Sequence, residues 1–179
     1  MEAIRHCLAN LGNFEGRDAR STFWYYVLLL VVINVIVGII IGVVFTAGSM
    51  GGAIQSAAGG ASEAEVQAQI MQQVADGLST QVWIGAALSL ITLALFIAAF
   101  VRRLRDAALP VAIAAVPVAT SLFTTWNSVS SIGAMQAAMA SGDPMVINEA
   151  AMASAGYGLV GWVGYLVVIV CGAIPTRAG

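Results

Sequence analysis

Few side chains in this chain are able to do chemistry, and their spacing limits what they can do. The single histidine, His6, adjoins one of the two cysteines, Cys7, and the other cysteine is Cys171. Neighbours on a helix point about 100° apart, so His6 is badly placed to activate a Cys7 thiol, and no third residue nearby would orient the pair. Two thiols and one imidazole do not make a recognisable zinc site, and a haem held between helices would need axial ligands such as paired histidines. What remains is arginine: Arg5, Arg17, Arg20, Arg102, Arg103, Arg105 and Arg177 supply all seven cations, with no lysine. Planar guanidinium groups hold phosphate or carboxylate in a two-pronged grip. Arg17, Asp18 and Arg20, with Arg102, Arg103, Arg105 and Asp106, therefore form a collar that either holds lipid headgroups or pairs with itself. No catalytic, cofactor-binding or metal-binding residue is predicted, and the chain reads as a non-enzyme.

The elements that carry these residues follow from composition. Hydrophobic residues make up 60% of the chain and charged ones only 9%, against roughly 25% charged in soluble domains. Such a chain cannot clothe a soluble enzyme or solvate a disordered tail. A net charge of −2 leaves no basic footprint for nucleic acid. Crossing about 30 Å of hydrocarbon takes roughly 20 helical residues, and four stretches serve: 23–45, 82–101, 109–126 and 156–174. The third is the weakest, being short with Pro117 inside. The predicted class is all-α, a four-helix transmembrane bundle, with residues 1–22 as a cytoplasmic segment and 23–179 as the membrane domain. The first span is too long for the apolar core of a cleaved leader.

Drawn this way, all seven arginines fall on one side, while the loops 47–81 and 127–153 carry Glu63, Glu65, Asp76, Asp143 and Glu149 and no base. The excess of arginine in short cytoplasmic segments sets both termini inside. Cys7 and Cys171 then lie near the cytoplasmic face, where disulfides are rare, so free thiols are expected. No span contains an ionisable residue of the kind that marks an ion or proton route.

Outside the hydrocarbon, Met1, Ile4, Leu8 and Leu11 recur at helical spacing and predict an amphipathic helix in the headgroup layer. In the first outer loop Gly51, Gly52, Gly59 and Gly60 read as flexible linkers. Ser62 with Glu65 is a capping box for a helix from about Glu63 to Ala75, ending at Gly77. Asp143 before Pro144 is an N-cap with proline in the first turn. Within the spans, small residues mark where helices approach: Asn34, Gly38 and Gly42; Gly85 and Ser89; Gly158, Gly161 and Gly164. Asn34 needs a partner, for which Ser89 and Thr92 are candidates. Phe23, Trp24, Tyr25, Tyr26, Trp83, Trp126 and Tyr157 read as interfacial aromatics, whereas Trp162 and Tyr165 are expected to pack inside. Pro117 is expected to kink its helix.

Phe14-Glu15-Gly16-Arg17-Asp18-Ala19-Arg20-Ser21-Thr22-Phe23-Trp24 and Arg102-Arg103-Leu104-Arg105-Asp106 together resemble the bacterial inner-membrane family known as domain of unknown function 805, which pairs F-x-G-R-x-x-R-S-x-F-W with R-R-L-H-D. The second motif departs at Arg105, where the family usually has histidine, and Ala107, Ala108, Leu109 and Pro110 replace the glycine and tryptophan residues that often follow. The resemblance implies a bacterial cytoplasmic membrane and no particular activity. Two cross-motif pairs are predicted, Arg20 with Asp106 and Arg102 with Asp18. The leading expectation is an accessory or assembly subunit that binds a larger membrane complex or anionic lipids. The alternative is a transporter or channel for a small neutral solute, as a homo-oligomer.

Overall fold

The computed structural model describes residues 20–175, so the expected amphipathic helix at 1–11 and Arg5, Arg17, Asp18 and Arg177 lie outside the described residues. Among those described, the fold is all helical: α1 (Arg20–Ala58), α2 (Glu63–Asp106), a 3-10 turn (Val111–Ala114), α3 (Ala115–Ser130), α4 (Ile132–Ser141) and α5 (Pro144–Ala173). Three of these, α1, α2 and α5, are long and apolar enough to cross a membrane. The stretch expected as a third span, 109–126, is divided. Pro110 cannot continue a helix, the chain turns once as a 3-10 segment, and α3 then runs 16 residues. At about 2.0 Å and 1.5 Å of rise per residue, the two pieces together reach roughly 32 Å. Pro117 falls in the first turn of α3, where helices tolerate proline, so the kink expected from an interior proline has no cause there.

Helices α1 and α2 form a hairpin much longer than the spans within it, about 58 and 66 Å at 1.5 Å per residue. The helix expected to stop at Gly77 runs without a break from Glu63 to Asp106. A glycine inside a helix costs about 1 kcal/mol relative to alanine, but here its bare face receives the Phe45 ring, which an added Cβ would strike. Gly51 and Gly52 are likewise helical rather than linkers, and Gly52 leaves room for the side-chain amide of Gln73. Only Gly59 and Gly60 make the turn. Gly60, at φ 84°, closes α1 with two 3.2 Å bonds, from its own N–H to the Ala57 carbonyl and from the Ala61 N–H to that of Ser56, a Schellman end. The predicted capping box then opens α2: the Ser62 N–H donates to the Glu65 carboxylate at 2.8 Å, and the Ser62 hydroxyl accepts from the Glu65 N–H.

The connection between α3 and α5 is helical too. Gly142 ends α4 at φ 65°, and Asp143 caps α5 by accepting from the Met145 N–H at 2.8 Å, with Pro144 in the first turn. Gln136 on α4 donates to the Ala75 carbonyl of α2 at 3.0 Å, seating the short helix against the hairpin. The bundle is tightest at its arginine end, where Phe23, Tyr26, Leu30, Ala99, Phe100, Val101, Leu104, Ala114 and Cys171 form the core. Outward faces of α1 and α5 stay bare, including Val31, Ile36 and Ile40 on the first and Leu166 and Ile169 on the second. Trp162 and Tyr165 belong to that bare face, at 64% and 66% exposed, and are not packed inside. The buried residues of α5 are small, Gly164, Cys171 and Gly172, and Trp162 and Tyr165 lie off that stripe.

Candidate functional site

The arginine end is built around one side chain. Arg103 is fully buried on the last turn of α2. Its Nη1 donates to the carboxylate of Asp106, one turn on, and its Nη2 to the backbone carbonyls of Gly172, at 3.3 Å, and of Ile174. The Trp24 indole N–H donates to the same Gly172 carbonyl at 3.2 Å. These acceptors are the terminal carbonyls of α5. A helix leaves its last four carbonyls without intrahelical partners and its end partially negative. Glycine in the left-handed conformation or a basic residue in the last turn commonly answers both needs, and α5 has neither: its cap Ile174 lies at φ −58°, ψ 133°, and its last turn carries no base. Arg103 supplies the missing cation from α2, with Trp24 of α1 supplying a further donor.

The aromatic half of the first motif closes around this contact. Phe23 and Tyr26 are fully buried, so they belong to the core rather than to an interfacial belt, and Tyr25 alone of that run is exposed. Phe23 lies 6.2 Å from both Phe96 and Phe100, ring to ring, and these two stack at 5.2 Å. Tyr26 donates to the Leu95 carbonyl at 3.2 Å. Gly172 fits beneath them, since an added Cβ would lie 2.8 Å from the Phe23 ring and 3.1 Å from that of Trp24. Cys171 beside it is a buried free thiol. The turn after α2 holds Arg103 in place through a second Schellman end: the Leu109 N–H reaches the Leu104 carbonyl at 2.9 Å and the Ala108 N–H that of Arg105 at 3.2 Å. Ala108 takes the left-handed conformation, φ 54°, which glycine adopts freely and alanine does not.

The collar expected from sequence is therefore divided. Asp106 pairs with Arg103, not with Arg20. Arg20 and Arg105 are exposed, Arg102 is buried, and the expected partner Asp18 lies outside the described residues. Arg103 is fully buried, with its Nε left without a hydrogen-bond partner, whereas Arg20 and Arg105 are open to the surroundings.

Of the small and polar residues singled out within the spans, some meet neighbours and some do not. Asn34 donates to Thr92 at 3.0 Å and to the Leu30 carbonyl at 2.8 Å. Ser89 bonds instead to Thr125, at 3.2 Å. Gly164 seats Thr120 and the Pro117 backbone, and Gly161 meets the Thr124 methyl at 3.4 Å. Gly38, Gly42, Gly85 and Gly158 have nothing within 4 Å of where a Cβ would stand. Gly38 and Gly42 lie on the same side of α1 as Asn34 and Phe45, at helical spacing, yet no neighbour closes on them. The helix-end role of Arg103 escapes sequence reasoning, since its acceptors are backbone carbonyls about 70 residues away. Among the described residues, no three His, Cys, Asp or Glu side chains gather as a metal site.

The Phe-Trp half of the first motif and the Arg-Arg-Leu half of the second thus meet at the same carbonyl of α5. A family model described as a protein of unknown function, DUF805, matches residues 11–179. No curated protein and no solved structure matches the chain. With both motifs joined in one node and the match running over nearly all of its length, the chain belongs to the DUF805 family of proteins of unknown function.

Proposed function

We propose that this chain is a non-enzymatic integral protein of the bacterial cytoplasmic membrane, with four spans and both termini cytoplasmic, acting as an accessory or assembly subunit. The observation that carries the reading is the hairpin. Trp83, exposed at the outer end of the second apolar run, marks the outer boundary of the hydrocarbon, and α2 continues 20 residues beyond it to Glu63, about 30 Å at 1.5 Å per residue. That projecting part keeps apolar side chains in water: Met50 and Ile54 are 59% and 65% exposed. Near its tip Ala57, Val66, Ile70 and Met71 line a shallow groove of about 570 Å³ with Glu63 at the rim. Apolar surface held in water marks an interaction site. The outer loops carry acids and no base, so the fitting partner presents an apolar segment flanked by basic residues. On the inner side, exposed Arg20 and Arg105 favour anionic headgroups, at about 1 kcal/mol per surface charge.

The test is a photo-crosslinking residue at Met71 in native membranes. One discrete protein adduct, lost when Val66 and Ile70 become aspartate, supports the reading. Adducts to lipid alone, or a smear indifferent to those changes, refute it. A second reading, passage of a small neutral solute, is favoured by a hydroxyl-lined cleft at the outer ends of α3 and α5.

A further inference from the structure

Between the outer ends of α3 and α5 lies a cleft of about 80 Å³ lined by Thr124, Asn127, Ser128, Ser131, Ser154, Tyr157 and Gly158. Its inner end adjoins the Ser89–Thr125 bond between α2 and α3. With Trp126 between Thr124 and Asn127, the cleft lies at the outer boundary.

The hydrogen bonds of its walls are already assigned, and they leave a definite pattern. Thr124 donates its hydroxyl proton to the Ser121 carbonyl at 3.0 Å, Ser128 to Thr124 at 2.9 Å, Ser131 to Ser128 at 3.0 Å and Ser154 to Ala151 at 2.8 Å. With their protons committed to the backbone, the four oxygens offer only lone pairs to the cleft. Asn127 supplies the opposite character, its Nδ2 shielded from solvent and without a hydrogen-bond partner, and the Tyr157 phenol, also in the lining, is a further possible donor. An unmatched amide donor shielded from solvent is costly, and it stands where an occupant could accept from it.

The lining holds no charged side chain. An anion would face four acceptor oxygens, and a cation would meet an N–H and no carboxylate. A neutral molecule carrying hydroxyl groups fits both halves, donating to the serine and threonine oxygens and accepting from Asn127. Size narrows it further. One water needs about 10–15 Å³ by this measure, so the cleft takes about six oxygen- or carbon-sized atoms. We propose that it is a binding site for a small neutral polyol of about the size of glycerol. The site stands apart from the outer hairpin and does not depend on the docking reading.

The experiment is saturation-transfer NMR with glycerol as the probe, on the full chain in lipid nanodiscs against empty nanodiscs. Gly158→Leu is the blocking variant, because an added Cβ there meets nothing within 4 Å and the larger side chain enters the cleft without a backbone clash. The expected result is a transfer signal for the wild type, absent with Gly158→Leu and weakened about tenfold with Asn127→Leu, one hydrogen bond's worth. If Gly158→Leu does not fold, judged by its helical circular dichroism, Asn127→Leu alone decides. No signal with the wild type would mean that the cleft holds water only and would overturn the proposal. An equal signal from both variants would place glycerol elsewhere and overturn it as well.

Discussion

Removing the guanidinium of Arg103 should cost more than truncating any other side chain at the arginine end, and the geometry says how the cost divides. Arg103→Met strands the Asp106 carboxylate, whose side chain is 11% exposed, and leaves the Ile174 carbonyl without its donor, while Gly172 keeps Trp24. Breaking one side of a buried ion pair costs about 3–5 kcal/mol; the lower end applies because water reaches Asp106 at the membrane boundary. The lost helix-end bonds add about 1 kcal/mol each. Arg103→Lys should fall between, since one ammonium can meet Asp106 but cannot also span two carbonyls. The decisive measurement is a double-mutant cycle with Asp106→Leu, read by helical circular dichroism during denaturation in mixed micelles. The double variant removes the stranded charge and should be less damaged than the sum of the singles by about 2 kcal/mol or more. A coupling below about 0.5 kcal/mol, or an Arg103→Met variant as stable as the wild type, would refute the helix-end role. Asp106→Arg sets like charges together and should destabilise at least as much as Arg103→Met.

Other outcomes follow from neighbouring geometry. Gly172→Ala should lose about 1–3 kcal/mol through overpacking against Phe23 and Trp24, whereas Gly38→Ala, with open space around it, should be neutral or slightly stabilising by helix propensity; paired denaturation curves decide. Ala108→Gly should relieve the left-handed strain at φ 54° and raise stability by up to about 1 kcal/mol, and a loss would show that the Schellman end does not govern that turn. Thr92→Val should cost about 0.6 kcal/mol, the usual worth of a bond between membrane helices, because Asn34 keeps its Leu30 carbonyl. The N–H of Ser62, and then its hydroxyl, hold the exposed Glu65 carboxyl below its ordinary pKa. A depressed carboxyl pKa stabilises the folded state above the unfolded value and stops doing so as pH falls through the folded one. Protection of the first turn of α2 against hydrogen exchange, taken relative to the unstructured rate at each pH, should therefore fall under acid, below the usual carboxylate range, and Glu65→Gln should flatten that dependence.

What could be read from residues alone was local or side-chain specific. Asp143-Pro144 and Ser62-Glu65 open helices because their chemistry is complete within four residues. Asn34 found Thr92 because a buried amide has few possible partners at its depth. Features set by what lies across the interface were not legible: Gly77 looks like a stop until the Phe45 ring is placed on it, and Phe23 and Tyr26 look interfacial until α2 covers them. The sharpest gap was Arg103. An arginine near a carboxylate and a membrane boundary suggests a headgroup or a salt bridge, and nothing in a sequence marks a backbone carbonyl on another helix as the acceptor.

That contact also imposes an order on biogenesis. The arginine is synthesised with the second long helix, and its carbonyl acceptors arrive only with α5, after the 3-10 turn, α3 and α4 have followed. Until then the nascent chain carries Arg103 at a bare helix end, with the acceptors at Gly172 and Ile174 not yet made. Insertion of α5 is thus the event that closes the bundle.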